Sequence, residues 1–235
     1  MIVERRRTAD AFADLRRTAV SGLSNLILRI AGLASTFLLG VLLARALGPA
    51  EYGLYGLVAT LAALGMNIAL LGIPQLAIRE FSIRKDRSDW NGIRSLTRKF
   101  SVAVASASLA IALITLLCVI SLDNGRAQTT RLAIPGVLLL AFMAGTALIA
   151  AQLRGLGQLV KGQAMDIFGR PIAAFAVLAC LAGAGFKLSA SLALWVQVAV
   201  AMLAVMISFA WLHSAISRQT TGCSSATPWL AAALP

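Results

Sequence analysis

Four long stretches of this 235-residue chain contain no charged side chain. Each has at least 20 residues, and they cover residues 54–73, 100–122, 132–153 and 188–212. The hydrocarbon core of a bilayer is about 30 Å thick, and a helix needs about 20 apolar residues to cross it. Each stretch therefore predicts a transmembrane helix.

Two shorter stretches, 30–44 and 172–186, are also free of charge but have only 15 residues each. A helix of that length spans about 22 Å at 1.5 Å per residue, so each must extend to cross the bilayer. The first can extend back to residue 20, and the second back through Pro171, Arg170 and Asp166. We then predict six spans, at about 20–44, 54–73, 100–122, 132–153, 165–186 and 188–212.

The composition excludes a soluble protein. Hydrophobic residues make up 59% of the chain and charged residues only 13%, whereas soluble proteins average about 25% charged residues. Too few polar side chains remain to cover a water-exposed surface, and the chain is too apolar to be disordered. The predicted fold class is an all-α polytopic membrane protein with six transmembrane helices.

The formal charge of +12 comes from 21 Lys and Arg against 9 Asp and Glu. The basic residues lie in short groups between apolar stretches, which argues against nucleic acid as a partner. With the N-terminus inside the cell, 16 of them face the cytoplasm and 4 face outward. The positive-inside rule therefore predicts that both termini are cytoplasmic.

The domain organisation follows from the spans. Residues 1–19 form a basic cytoplasmic segment, either a short amphipathic helix on the inner leaflet or a disordered tail. Residues 20–213 form the transmembrane lobe, and 214–235 form a cytoplasmic tail ending in the start of a seventh helix at 228–235. The polar loop 75–99 carries seven basic residues, which would lie beside anionic lipid of the inner leaflet and make membrane lipid a partner. These residues could instead only anchor the topology.

Polar side chains are costly within lipid, so each one in a span is a candidate functional residue. Asn25 and Arg29 are four residues apart and share a helix face, and so do Asp166 and Arg170. Each has a structural alternative. Arg29 could reach the inner headgroups, and Asp166 and Arg170 could simply neutralise each other.

Three further polar residues complete the candidates. Asn67 lies within the second span, Gln75 follows it, and Gln197 lies in the middle of the sixth span. Asn67 and Gln197 could instead only form hydrogen bonds with neighbouring helices. Gly32 and Thr36 have the four-residue spacing of small residues that lets helices pack closely.

No catalytic pattern is recognisable. His213, the only histidine, has no metal-ligand partner in the sequence. Gly155, Gly157 and Gly162 follow a membrane helix rather than a strand and lack the spacing of a phosphate-binding loop. We therefore expect a protein that is not an enzyme and that has no cofactor or metal site.

Three motifs carry a resemblance to a known family. They are ARALGPAEYGLY at residues 44–55, GIPQ at 72–75 with Arg79-Glu80, and LRGLGQ at 153–158 with Gly162-Gln163. Their order and spacing resemble those of the polysaccharide flippases, which export lipid-linked O-antigen and exopolysaccharide units.

The resemblance implies one lobe of a two-lobe transporter of the bacterial inner membrane. Such proteins have a central cavity, move an oligosaccharide carried on undecaprenyl diphosphate, and are thought to use ion gradients. This chain would be the N-terminal six-helix lobe, a truncated or half-length copy. A missing second lobe or a homodimer would complete it.

The candidate residues fit such a substrate. A diphosphate cannot cross hydrocarbon unshielded, and arginine binds phosphate with charge-assisted hydrogen bonds. Arg29 and then Arg170 are the expected phosphate ligands, and Asp166 is the expected ion-coupling residue. Sugar hydroxyls would bind Asn25, Asn67, Gln75 and Gln197. Two alternatives stay open: a non-transporting lobe that acts through a partner, and a membrane enzyme acting on a polyprenyl-linked sugar.

Overall fold

The structure, a computed structural model, describes residues 2–87, 89–122 and 127–223, and in these ranges the chain consists of helices joined by short turns. The prediction of an all-α protein is confirmed for these ranges. The elements are α1 (Ile2–Leu70), α2 (Ile73–Asp86), α3 (Trp90–Leu122), α4 (Ala127–Gly155), α5 (Leu159–Gln163), a π-helical segment (Ala164–Gly169), α6 (Arg170–Gly183) and α7 (Ala190–Cys223).

Five helices in this part of the chain are long and apolar enough to cross a membrane. They cover Arg29–Leu70, Trp90–Leu117, Arg131–Gly155, Val160–Gly183 and Ala190–Ser217. Large apolar side chains such as Leu109, Leu113 and Leu117 of α3 are more than half exposed. An apolar surface of this kind suits contact with lipid, so the chain is a multi-pass membrane protein.

The first of these helices is broken near its middle. Arg29–Leu70 has 42 residues, which would give about 63 Å of straight helix, twice the thickness of the hydrocarbon core. Gly48 interrupts it with φ 75° and ψ 170°, a backbone conformation that only glycine adopts readily. The arms on either side, 29–47 and 49–70, are each long enough for one span, and they correspond to the first two predicted spans.

The second arm of α1 is fixed against α7 just after this break. A carboxylate oxygen of Glu51 accepts a hydrogen bond of 2.8 Å from the backbone N–H of Ala190, the first residue of α7. One turn later, the side-chain amide of Gln197 donates to the hydroxyl of Tyr55 at 3.0 Å. A negative charge at a helix N-terminus is favourable, so the carboxylate both caps α7 and positions the arm.

Helix α4 lies at the centre of the bundle and packs against α1, α2, α3 and α7. Leu139, Leu140, Leu148 and Leu153 are all buried. They belong to hydrophobic clusters that join α4 to its neighbours at successive depths. Among the five candidate spans, the one in α4 has the largest buried share.

Much of the polar loop predicted at 75–99 is helical instead. Helix α2 occupies its first half, and α3 begins at Trp90, ten residues before the predicted span. Ala77 and Phe81 are four residues apart and fully buried, so α2 packs its apolar face against α4. Arg79, near the start of α2, is exposed. The spacing of apolar residues in this segment is helical, but its high density of charged residues led to the prediction of a loop.

The end of α2 is also held by a polar contact. The ammonium group of Lys85 donates to the carbonyl of Leu156, beyond the end of α4, at 2.9 Å. A cation near a helix C-terminus satisfies a carbonyl that lacks a helical partner. The turn expected at 123–126 and the tail at 224–235, including the expected start of a seventh helix, lie outside the described residues.

Candidate functional site

A cavity of about 440 Å³ lies where the first arm of α1 meets the π-helical segment and α6. Its volume is within the range of about 300–1,000 Å³ that is usual for small-molecule sites. Three ionisable side chains predicted from the sequence meet here. The lining consists of Arg29, Gly32, Leu33, Thr36, Asp166, Ile167, Arg170 and Pro171.

The π-helical segment places Asp166 and Ile167 at the cavity wall. Pro171 stands at the start of α6 and has no N–H group, so a carbonyl one turn earlier lacks its helical donor. This favours an irregular turn at that point. Short π-helical turns inside α-helices are frequent at functional sites.

Gly32 allows α1 to approach this segment closely. A Cβ atom built on Gly32 would lie 2.5 Å from the backbone carbonyl oxygen of Ile167, a distance that no larger residue could accept without movement. Thr36 donates its hydroxyl to the Gly32 carbonyl at 2.9 Å. The predicted small-residue spacing therefore marks the contact that forms the cavity.

The charges at the cavity are not paired with one another. Arg29 is exposed, and Asp166 and Arg170 are half-buried. Within the described ranges the single salt bridge joins Arg84 to Glu80 at 3.6 Å, so Asp166 and Arg170 are not in ionic contact. Two guanidinium groups and one carboxylate give the cavity a formal charge of +1. In the described residues, the guanidinium N–H groups of these two arginines donate no hydrogen bond to protein.

The other predicted residues lie elsewhere or cannot be placed. Asn67 is exposed and donates to the Ala63 carbonyl of its own helix at 2.9 Å. Gln75 is exposed on α2, and Gln197 is buried against Tyr55. None of these three lines the cavity. Asn25 lies one turn before Arg29 in α1, and its side chain is outside the described part.

Glu51 and Tyr55 have roles that residue-by-residue reasoning missed. Both belong to the motif at residues 44–55, and both bind α7. The sequence did contain an indication of these roles, because Glu51 and Tyr55 follow Gly48-Pro49 in a motif that resembles one of the family. Their part in joining two distant segments is visible only in the structure.

A group of buried polar atoms without hydrogen-bond partners lies in and around the turn between α4 and α5. Gln152 is completely buried, and neither atom of its amide has a hydrogen-bond partner. The amide oxygens of Gln158 and Gln163 are likewise buried without a partner. Such groups are rare in folded proteins, and all three lie in or beside the motif at 153–163.

A comparison with protein families gives a match over residues 15–227 to the family described as polysaccharide biosynthesis protein. The match covers nearly the whole chain, and the resemblance to the polysaccharide flippases agrees with it. No curated protein and no solved structure matches the chain. The chain belongs to the polysaccharide biosynthesis protein family.

Proposed function

We propose that this chain is one lobe of a flippase for undecaprenyl-diphosphate-linked oligosaccharides, such as O-antigen or exopolysaccharide repeat units, in the bacterial inner membrane. The observation that carries the proposal is the cavity in which the side chains of Arg29 and Arg170 face a common space without an ionic partner. Membership of a polysaccharide biosynthesis family supports it.

The cavity has the chemistry that a lipid diphosphate needs. Guanidinium groups bind phosphate oxygens with paired, charge-assisted hydrogen bonds. Arg29 and Arg170 would hold the diphosphate, and the polar wall at Thr36 and Asp166 would face the first sugar. The apolar side of Leu33 is more than half exposed and offers a surface for the polyprenyl chain.

The position of the cavity fits loading from the cytoplasmic side. The π-helical segment follows α5, and α5 packs against the end of α4 beside Arg154. Lys85 of α2 contacts the same corner of the lobe, because its ammonium group donates to the Leu156 carbonyl. Under the proposed topology, with both termini in the cytoplasm, this corner faces the leaflet from which the substrate would enter.

Asp166 would couple release to an ion. While Asp166 is ionised, the three side chains carry a formal charge of +1, and neutralisation of the carboxylate by a proton or a cation raises it to +2. Neutralisation therefore strengthens phosphate binding, and ionisation weakens it. An alternating transporter requires this kind of change in affinity between its two states.

A second lobe, or a second copy of this chain, would close the cavity. Arg29 and Leu33 remain exposed in the single lobe, so one side of the cavity is open. Because the described residues that line the cavity include a single carboxylate and no second acidic side chain, we propose transport rather than catalysis on the lipid-linked sugar. A labelled lipid-linked sugar incubated with the purified protein should remain intact.

The direct test is glycan export in cells that lack their own flippase and that express this lobe together with the second lobe that completes the transporter. Arg29→Ala and Arg29→Lys should each reduce surface glycan at least tenfold while protein abundance is unchanged, because lysine cannot form the paired contact. Lys187→Ala, in the turn between α6 and α7, is the matched control and should export normally. Normal export by both Arg29 variants would remove this residue from the site.

A further inference from the structure

A second cavity, of about 230 Å³, lies between the first turns of α3 and the later part of α7. We call it the α3–α7 slot. It shares no lining residue with the Arg29 cavity. It is lined by Arg94, Thr97, Phe209, Leu212, His213 and Ile216.

The slot has a polar rim and an apolar floor. Leu212 and Ile216 are buried, whereas Arg94 and His213 are exposed. The hydroxyl of Thr97 already donates to the Ile93 carbonyl at 2.9 Å. In the described part of the chain, Arg94 and His213 form no hydrogen bond or ion pair, so their nitrogen atoms are free to bind a ligand.

Two tryptophans give the depth of the slot in the membrane. Trp90 and Trp211 pack against one hydrophobic cluster, and tryptophan is enriched where the hydrocarbon meets water. Arg94 lies one turn after Trp90, and His213 lies two residues after Trp211. The rim of the slot is therefore at the level of the lipid headgroups.

An apolar track leads from the rim toward the middle of the bilayer. Met202, Met206 and Phe209 precede His213 at spacings of four, three and four residues, so all four share one face of α7. The first three side chains are 42% to 61% exposed. The eleven helical steps from Met202 to His213 rise about 16 Å, roughly the thickness of one hydrocarbon leaflet.

We propose that the α3–α7 slot binds an anionic glycerophospholipid. Arg94 and His213 would donate hydrogen bonds to its phosphate, and one acyl chain would lie along Phe209, Met206 and Met202. Arg98 and Lys99 follow on α3 and add positive charge beside the rim. This charge favours an anionic lipid over a zwitterionic one, and the apolar floor favours a lipid over a free phosphate.

The test measures lipid binding by the full chain in mild detergent, using native mass spectrometry. Phosphatidylglycerol should bind more tightly than phosphatidylcholine, and the double substitution Arg94→Gln/His213→Gln should weaken its binding about tenfold, because charge-assisted hydrogen bonds are lost. Arg87→Gln is the matched control. It removes one positive charge from an exposed position at the end of α2 and should bind as the unaltered chain does.

A second arm separates a lipid from a free phosphate. Glycerol 3-phosphate should fail to compete with phosphatidylglycerol, and Phe209→Ser should weaken lipid binding without changing the preference for the anionic headgroup. If the double variant fails to fold, the single variant Arg94→Gln replaces it in the test. Arg94 is exposed, so this substitution should preserve the fold. Effective competition by glycerol 3-phosphate would overturn the lipid site.

Equal binding of phosphatidylglycerol by the single Arg94 variant, the double variant and the Arg87 control would also overturn it. The slot would then be assigned to protein, either a second copy of the chain or its own residues 224–235. Neither outcome bears on the Arg29 cavity, which is tested by glycan export.

Discussion

At the scale of single residues, the distinction between candidates depends on what each side chain can reach. Asn67 and Gln197 look alike in the sequence, since each is an isolated amide in an apolar span. Asn67 bonds its own helix and Gln197 bonds Tyr55, so their hydrogen-bonding capacity is partly used. Arg29, Asp166 and Arg170 have no such contacts in the described structure and share a cavity.

Asp166→Asn should bind a short polyprenyl diphosphate more tightly, because the substitution removes the negative charge beside the phosphate ligands. Charges separated by several ångströms near a protein surface interact by about 1–2 kcal/mol, which corresponds to a change in Kd of roughly fivefold to thirtyfold. Binding of farnesyl diphosphate to the purified protein measures the effect.

Glycan export by Asp166→Asn should nevertheless fall, because release of the substrate no longer follows ionisation. The matched control is Asp86→Asn, at the exposed end of α2, which should change neither property. Weaker binding by Asp166→Asn would contradict the proposed role of this carboxylate.

At the scale of elements, two irregular positions shape the lobe. Gly48 divides α1 into two arms, and the π-helical segment lies between α5 and α6. The break at Gly48 lies between the first two spans predicted from stretch length, 20–44 and 54–73. The π-helical segment was not predicted, because helical periodicity does not distinguish a π-helical turn from an α-helical one. The close contact at Gly32 then brings the first arm and the π-helical segment together.

Gly32→Ala should separate these two elements and open the cavity. Its Cβ would be 2.5 Å from the Ile167 carbonyl oxygen, and forced movement in a packed interior costs about 1–3 kcal/mol. The thermal midpoint in detergent should drop by several degrees, and glycan export should decrease.

Gly56→Ala is the control for that substitution, since a Cβ at Gly56 would meet nothing within 4 Å. It should leave the thermal midpoint unchanged or slightly raised, because alanine favours helix. If both alanine variants behaved alike, helix propensity rather than the close contact would explain the result.

At the scale of the whole molecule, the order of the spans and the distribution of basic residues determine the topology that we propose. The 16 to 4 division of basic residues favours a single orientation. In the structure, Arg84 and Lys85 of α2 make polar contacts near the starts or ends of neighbouring helices. These contacts place the basic residues at the end of α2 beside the start of α3 and the end of α4.

This topology is testable by labelling intact cells with a membrane-impermeant thiol reagent. In a chain whose three native cysteines are replaced, Lys187→Cys should be labelled from outside, and Arg87→Cys should be labelled only after the cells are permeabilised. The reverse pattern would invert the proposed orientation and move the Arg29 cavity to the outer leaflet.

The sequence by itself determined the membrane class, the all-helical fold and the candidate ionisable groups, because length, hydropathy and charge are local properties of the chain. It also identified the family through three motifs. Only the tertiary structure decided which polar residues meet. Arg29 and Asp166 are far apart in the sequence, and their proximity depends on the packing of α1 against the π-helical segment. No local pattern encodes that contact, because it results from the fit of surfaces formed by separate helices.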